Sequence, residues 1–158
     1  MSASVAVVGF GNTIRGDDAV GPLVVDAVRA RLERDGDSRL RRSEIILATA
    51  PALDLGMVEE LSKCTAVILV DASEGDSGVS IQEVRAAASV NSLTSHLSSP
   101  EVFAGLMNAL CGCQPKILLV AVGGKDFGLK EGISAEAKAS VPVAVDTIVG
   151  TIDSIIPP

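Results

Sequence analysis

Four aliphatic runs limit what this chain can fold into. They read SVAVVGF (residues 4–10), EIILAT (44–49), TAVILVD (65–71) and PKILLVAVG (115–123). Each is short, rich in branched aliphatic residues and apolar nearly throughout. That is the pattern of a strand covered on both faces, and so of a mostly parallel sheet between layers of helix. The segments between them supply the helices. From Asp18 to Glu33 the apolar residues Val20, Leu23, Val24, Ala27, Val28 and Leu32 recur at helical spacing. Shorter helices are expected from Asp54 to Lys63 and from Pro100 to Leu110. A long one is expected from Ser134 to Ile152, with Pro142 kinking it or marking its true start.

VSIQEV (79–84) alternates apolar and polar residues, as a strand with one solvated face does. The order β-α-β-α-β-β-α-β-α predicts a three-layer α/β/α sandwich with a mostly parallel five-stranded sheet. Only residues 72–78 separate the third and fourth strands. A parallel crossover needs about a dozen residues or more, so this pair is expected to form an antiparallel hairpin. Residues 86–98 show no clear period. Neither repeats nor linkers interrupt the chain, and residues 1–158 are expected to form a single domain.

Composition narrows the function classes. Apolar residues make up 47% of the chain, enough for a full core. Trp and Tyr are absent and Phe occurs three times, so that core must be aliphatic. The net charge of −7 disfavours nucleic acid and anionic lipid as partners. Arg39, Arg41 and Arg42 form the one dense basic cluster, and they read as a solvated turn. No apolar run reaches the ~20 residues of a membrane helix. No basic n-region precedes the first strand, and Cys64, Cys111 and Cys113 are odd in number. A reduced, soluble, cytoplasmic protein is expected. The Cys111–Gly112–Cys113 spacing is not the C-x-x-C of zinc sites and reads as structural.

The stretch GFGNTIRGDD (9–18) is the first candidate for chemistry. It leaves a strand and opens a helix, as phosphate loops do. Yet Ile14 stands where the dinucleotide fingerprint needs its third glycine, and the loop ends in Asp17 and Asp18 rather than Lys and Ser. Those carboxylates would repel a pyrophosphate. The glycines instead suit a tight turn that aims Asp18 into a cleft. Asn12 would hold that turn or bind substrate backbone, beside Gly11.

In a sheet of this kind function gathers at the carboxyl ends of the parallel strands. The first strand delivers Asp17 and Asp18 there, and the third delivers Asp71. His96 is the only histidine. Arg85 to Ser95 spans about 36 Å when extended, and the fourth strand only ~20 Å, so the chain is long enough to return His96 to the same edge. Each residue has an ordinary structural reading: a cap for either of the paired aspartates, a strand-end residue for Asp71, a structural histidine for His96. Together, two carboxylates and one imidazole make an N/O site for zinc, nickel or another divalent ion. The same set also suits general acid–base chemistry without a metal.

These motifs resemble those of the nickel–iron hydrogenase maturation endopeptidases. GFGNTIRGDDAVG is similar to their G-x-G-N-x-L-x-x-D-[DE]-x-x-G signature, VILVDA (67–72) to their second acidic strand end, and TSHLSS (94–99) to their histidine segment. GISAEAKASVPVAV (132–145) is similar to their late helix. The resemblance implies an endopeptidase that removes a C-terminal extension from a hydrogenase large-subunit precursor once nickel is installed. It implies Asp18, Asp71 and His96 as the catalytic, metal-contacting residues. Asp17 matches the preceding acidic position, which is not a ligand. No resident cofactor is implied, because nickel arrives on the substrate. Asp18 on a glycine-rich loop and His96 in an irregular segment are expected to make a loose site when empty. ATAPALD (48–54) departs from the glycine-rich turn of many members and is a candidate substrate contact, as is GGKDFGLKEG (123–132). The alternative is a non-catalytic nickel-binding or scaffold protein on the same fold.

Overall fold

The computed structural model describes residues 3–87 and 99–158. Five strands are present among them: β1 (Val5–Phe10), β2 (Ile45–Ala50), β3 (Ala66–Glu74), β4 (Val79–Glu83) and β5 (Lys116–Gly124). The helices are α1 (Val20–Arg34), α2 (Ser38–Arg41), α3 (Val58–Leu61), α4 (Pro100–Cys111) and α5 (Ala135–Ile155). The strands form one sheet in the order β2-β1-β3-β5-β4, parallel except for β4.

Two apolar layers sandwich the sheet because successive strand side chains point to opposite faces. Val5 and Val7 of β1, Ile68 and Val70 of β3, and Val120 and Val122 of β5 pack against α1 and α5. Ala6, Val8, Val67 and Leu69 face the other way, onto Leu53, Val58, Leu61, Phe103 and Met107 around α3 and α4. Burying side chains of this size contributes roughly 1.5–3 kcal/mol each. Among the described residues no helix is long and apolar enough to cross a membrane.

Two expectations need correction. The fourth strand does run antiparallel, but it does not pair with the third. β5 inserts between them, bonding β3 on one side and β4 on the other. Burial explains the order. Most of β5 is buried, so it needs an interior slot, whereas four of the five residues of β4 are exposed and suit an edge. The last helix also runs unbroken through Pro142 from Ala135, with the Ser134 hydroxyl accepting from the Ala137 N–H at 3.2 Å. Pro142 therefore does not mark its start.

The arginine cluster is a third correction, because only Arg41 and Arg42 of its three members are solvated. Arg39 is buried, and its guanidinium donates to both Asp37 oxygens, to Asp153 Oδ1 at 2.7 Å and to the Ile156 carbonyl at 2.5 Å. The last two partners lie more than a hundred residues away, where no local pattern reveals them. Arg39 ties the α1–α2 turn to the end of α5. Arg39→Ala is expected to cost about 2–3 kcal/mol, because Asp37 and Asp153 lose their counter-charge. Arg41→Ala, at an exposed position, should stay within about 0.5 kcal/mol of wild type. Urea midpoints of the two variants check this.

Candidate active site at the carboxyl ends of β1 and β3

Parallel register brings the first and third strands level. Gly9 pairs with Val70, so Asp71 stands one residue beyond the last β1–β3 pair, beside the start of the glycine-rich loop. The loop turns sharply at Gly11, whose φ of +150° favours glycine. A Cβ there would lie 1.9 Å from the Asp18 carbonyl oxygen, so only glycine lets the two ends of the loop approach so closely. Asn12 closes the turn: its side-chain oxygen accepts from the Ile14 N–H at 3.1 Å, and its carbonyl accepts from the Arg15 N–H. The Asn12 N–H donates to Asp18 Oδ2 at 2.7 Å, which fixes that carboxylate at the mouth of the loop.

The two adjacent aspartates do different work. Asp17 is fully buried. Its carboxylate accepts from the N–H groups of Lys125, Asp126 and Ser134 at 2.7, 3.1 and 2.6 Å, and from the Ser134 hydroxyl at 2.7 Å. Burial by itself would raise its pKa, but these four donors outweigh it and hold the carboxyl at about 2. As an isolated feature it reads as a cap for the first helix. In the fold it serves the start of α5 instead, at the far end of the sequence.

Further bonds join the same two loops: Gly16 N–H to the Lys130 carbonyl, Asp17 N–H to the Asp126 carbonyl, and Lys130 N–H to the Ile14 carbonyl. β3 runs on to Glu74 rather than ending at Asp71, so Asp71 stands inside the strand, level with the carboxyl end of β1, and the clasped loops lie on either side of β3. The loop carrying Asp18 is therefore not the slack tether its glycines suggest. Within GGKDFGLKEG, the backbone of Lys125 and Asp126 is structural.

Asp71 is half-buried and accepts from the Ala72 N–H at 2.8 Å. Burial pushes its carboxyl up to about 6. The Asp18 charge adds to the rise, and the Ala72 hydrogen bond opposes it. Asp18 is thus near enough for its charge to oppose ionisation of Asp71, and two carboxylates so placed are suited to a cation. The expected position of His96 lies outside the described residues. Among the described residues no group of three or more His, Cys, Asp or Glu side chains is placed to hold an ion.

A cleft of about 220 Å³ opens between the glycine-rich loop and the end of β2, lined by Gly11, Asn12, Thr13, Pro22, Thr49, Ala50 and Pro51 but by neither Asp18 nor Asp71. It joins the glycine-rich loop to the ATAPALD segment. Cys111 and Cys113 lie at the opposite end of the sheet, before the amino end of β5, and all three cysteines are free thiols.

No family model and no curated protein matches the sequence. Solved structures do match. The NiFe hydrogenase maturation protease HycI of Thermococcus kodakarensis superposes with a TM-score of 0.70 over 96% of this chain and 93% of its own, at 19% identity. The hydrogenase maturating endopeptidase HybD of E. coli gives 0.70 over the same shares, at 16% identity. HybD of T. kodakarensis gives 0.65 over 94% of this chain and 99% of its own, at 17% identity. The chain has the hydrogenase maturation protease fold. Nearly the full length is shared with each.

Proposed function

We propose that the protein is an endopeptidase of hydrogenase maturation, which trims the C-terminal extension of a nickel–iron hydrogenase large-subunit precursor after nickel insertion. The observation that carries this reading is the half-buried Asp18–Asp71 pair at the carboxyl edge of a sheet with the maturation protease fold. A carboxylate whose ionisation is opposed by burial and by a neighbouring carboxylate gains from a divalent cation between the two. Nickel, as cargo of the substrate, supplies that cation and docks the precursor, with His96 as the third contact. No metal then needs to reside on the enzyme. Either carboxylate is suited to activate the attacking water, while Gly11 and Asn12 border the cleft that receives the peptide. The partner is a protein, and the net charge of −7 disfavours nucleic acid. Free thiols fit the reducing cytoplasm.

The test is a pair of digests followed by mass spectrometry of the large subunit, together with metal analysis of the purified enzyme. The expected result is shortening of nickel-loaded precursor only, by an enzyme that carries no stoichiometric metal. Equal cleavage of nickel-free precursor by a zinc-loaded enzyme would make it an ordinary metallopeptidase. Intact precursor in both digests would favour a scaffold.

A further inference from the structure

Strand β2 is an edge of the sheet, bonded only to β1. In a parallel strand the N–H and C=O of one residue point to the same side, and the side alternates along the chain. The Glu44 and Ala50 carbonyls accept from Val5 and Gly11 of the β1 side. Residues of even number therefore face β1, and Ile45, Leu47 and Thr49 turn their backbone groups outward. An unpaired edge invites strand addition by another chain. The middle of this edge is guarded, since Arg29 of α1 donates to the Leu47 carbonyl at 3.1 Å. The end is not. Among the described residues nothing hydrogen-bonds the backbone of Thr49, which is exposed and lines the cleft beside Gly11 and Asn12. The open stretch of edge is thus the one nearest the carboxylate pair.

We propose that the outer edge of β2 at Thr49 is a docking strand for an extended segment of the polypeptide substrate, an inference that rests on the peptidase reading. Main-chain hydrogen bonds to Thr49 hold the segment in line, as in other strand-addition complexes. A peptide added outside β2 lies three strand spacings from β3, about 14 Å. About four or five extended residues cover that distance, passing Asn12 to reach Asp18 and Asp71. Docking of this kind reads backbone rather than side chains, so it tolerates variation in the segment's sequence. It also requires that the segment be unfolded and free of other strands.

Thr49→Pro removes the outward N–H at an edge position, where proline is tolerated. Thr49→Val removes the hydroxyl and keeps the N–H. With the precursor that the wild type trims, T49P is expected to raise KM about tenfold with kcat within about threefold of wild type. T49V restores the N–H, so its KM should fall at least about threefold below that of T49P. A T49P enzyme with wild-type KM would overturn the inference while leaving the peptidase reading intact. A wild type that trims no precursor would overturn the peptidase reading, and the inference with it. A second measurement decides the matter even where T49P fails to fold. Hydrogen exchange of the full-length wild type is followed with a synthetic peptide matching the precursor's C-terminal segment. Exchange at the Thr49 amide should slow about tenfold with the peptide bound, and an unchanged rate would overturn the inference.

Discussion

Replacing Asp17 by Ala is expected to cost about 4 kcal/mol of folding stability at pH 7. Four donors lose their acceptor at once: the N–H groups of Lys125, Asp126 and Ser134, and the Ser134 hydroxyl. Each donor left buried and unpaired costs roughly 1–3 kcal/mol, less than additively because the loops relax together. The pH dependence identifies the group. Its folded pKa of about 2 lies below the value of about 3.9 for a free aspartate. The stabilisation it supplies is therefore complete above pH ~4 and disappears as pH falls through 2. About 2.5 kcal/mol of the difference between wild type and variant should vanish across that window. By pH 2.5, still above the folded pKa, about 1.8 kcal/mol of this should be gone, and urea midpoints at pH 7 and pH 2.5 measure it. A gap that stays the same at both values would mean that the carboxylate is not what holds the two loops.

That clasp also marks the limit of what the sequence revealed. Strands were legible wherever burial on both faces left an unbroken aliphatic run, as in β1, β3 and β5. The long helix α1 was legible from its period. The reversal of β4 followed from a connection too short for a crossover. Its neighbour did not, because pairing is decided by how deeply β5 must be buried, a competition between distant segments. Arg39 was misread for the same reason, its partners Asp153 and Ile156 standing at the other end of the chain.

The site divides along the same line. Asp18 and Asp71 could be placed at one sheet edge, because strand ends in a parallel sheet share a level and register follows from the apolar runs. The turn marks Asp18 as the cleft residue, but the buried role of Asp17 is not visible in the local pattern, since its partners lie more than a hundred residues away. Ser134 caps its own helix and gives no local hint of Asp17, 117 residues earlier. Thr49 reads only as the end of the second strand and part of a variant turn, because the sequence does not say that its strand is an edge.

Asp71→Asn is expected to stabilise the protein and to abolish its proposed activity. The folded pKa of about 6 stands above the free value of about 3.9, so the fold opposes ionisation of this group. The penalty is absent below pH ~4, grows between 4 and 6, and is complete above 6. The shift corresponds to about 3 kcal/mol, and water reaching a half-buried carboxylate reduces this to roughly 1–2 kcal/mol. Asparagine removes the charge and keeps an oxygen for the Ala72 N–H. The variant should therefore unfold at higher urea than wild type at pH 8 and at nearly the same urea at pH 4. Precursor cleavage should fall by about a thousandfold or more, since Asp18 alone cannot hold the substrate's cation between two carboxylates. Selection for stability alone would not place an uncompensated carboxylate at Asp71. A residue that strains the fold and is needed by the chemistry is what a stability–activity trade-off looks like at one position. An Asp71→Asn protein less stable than wild type at pH 8 would contradict the electrostatic account of the site. One that still trims precursor at the wild-type rate would remove Asp71 from the chemistry and leave Asp18 without its partner.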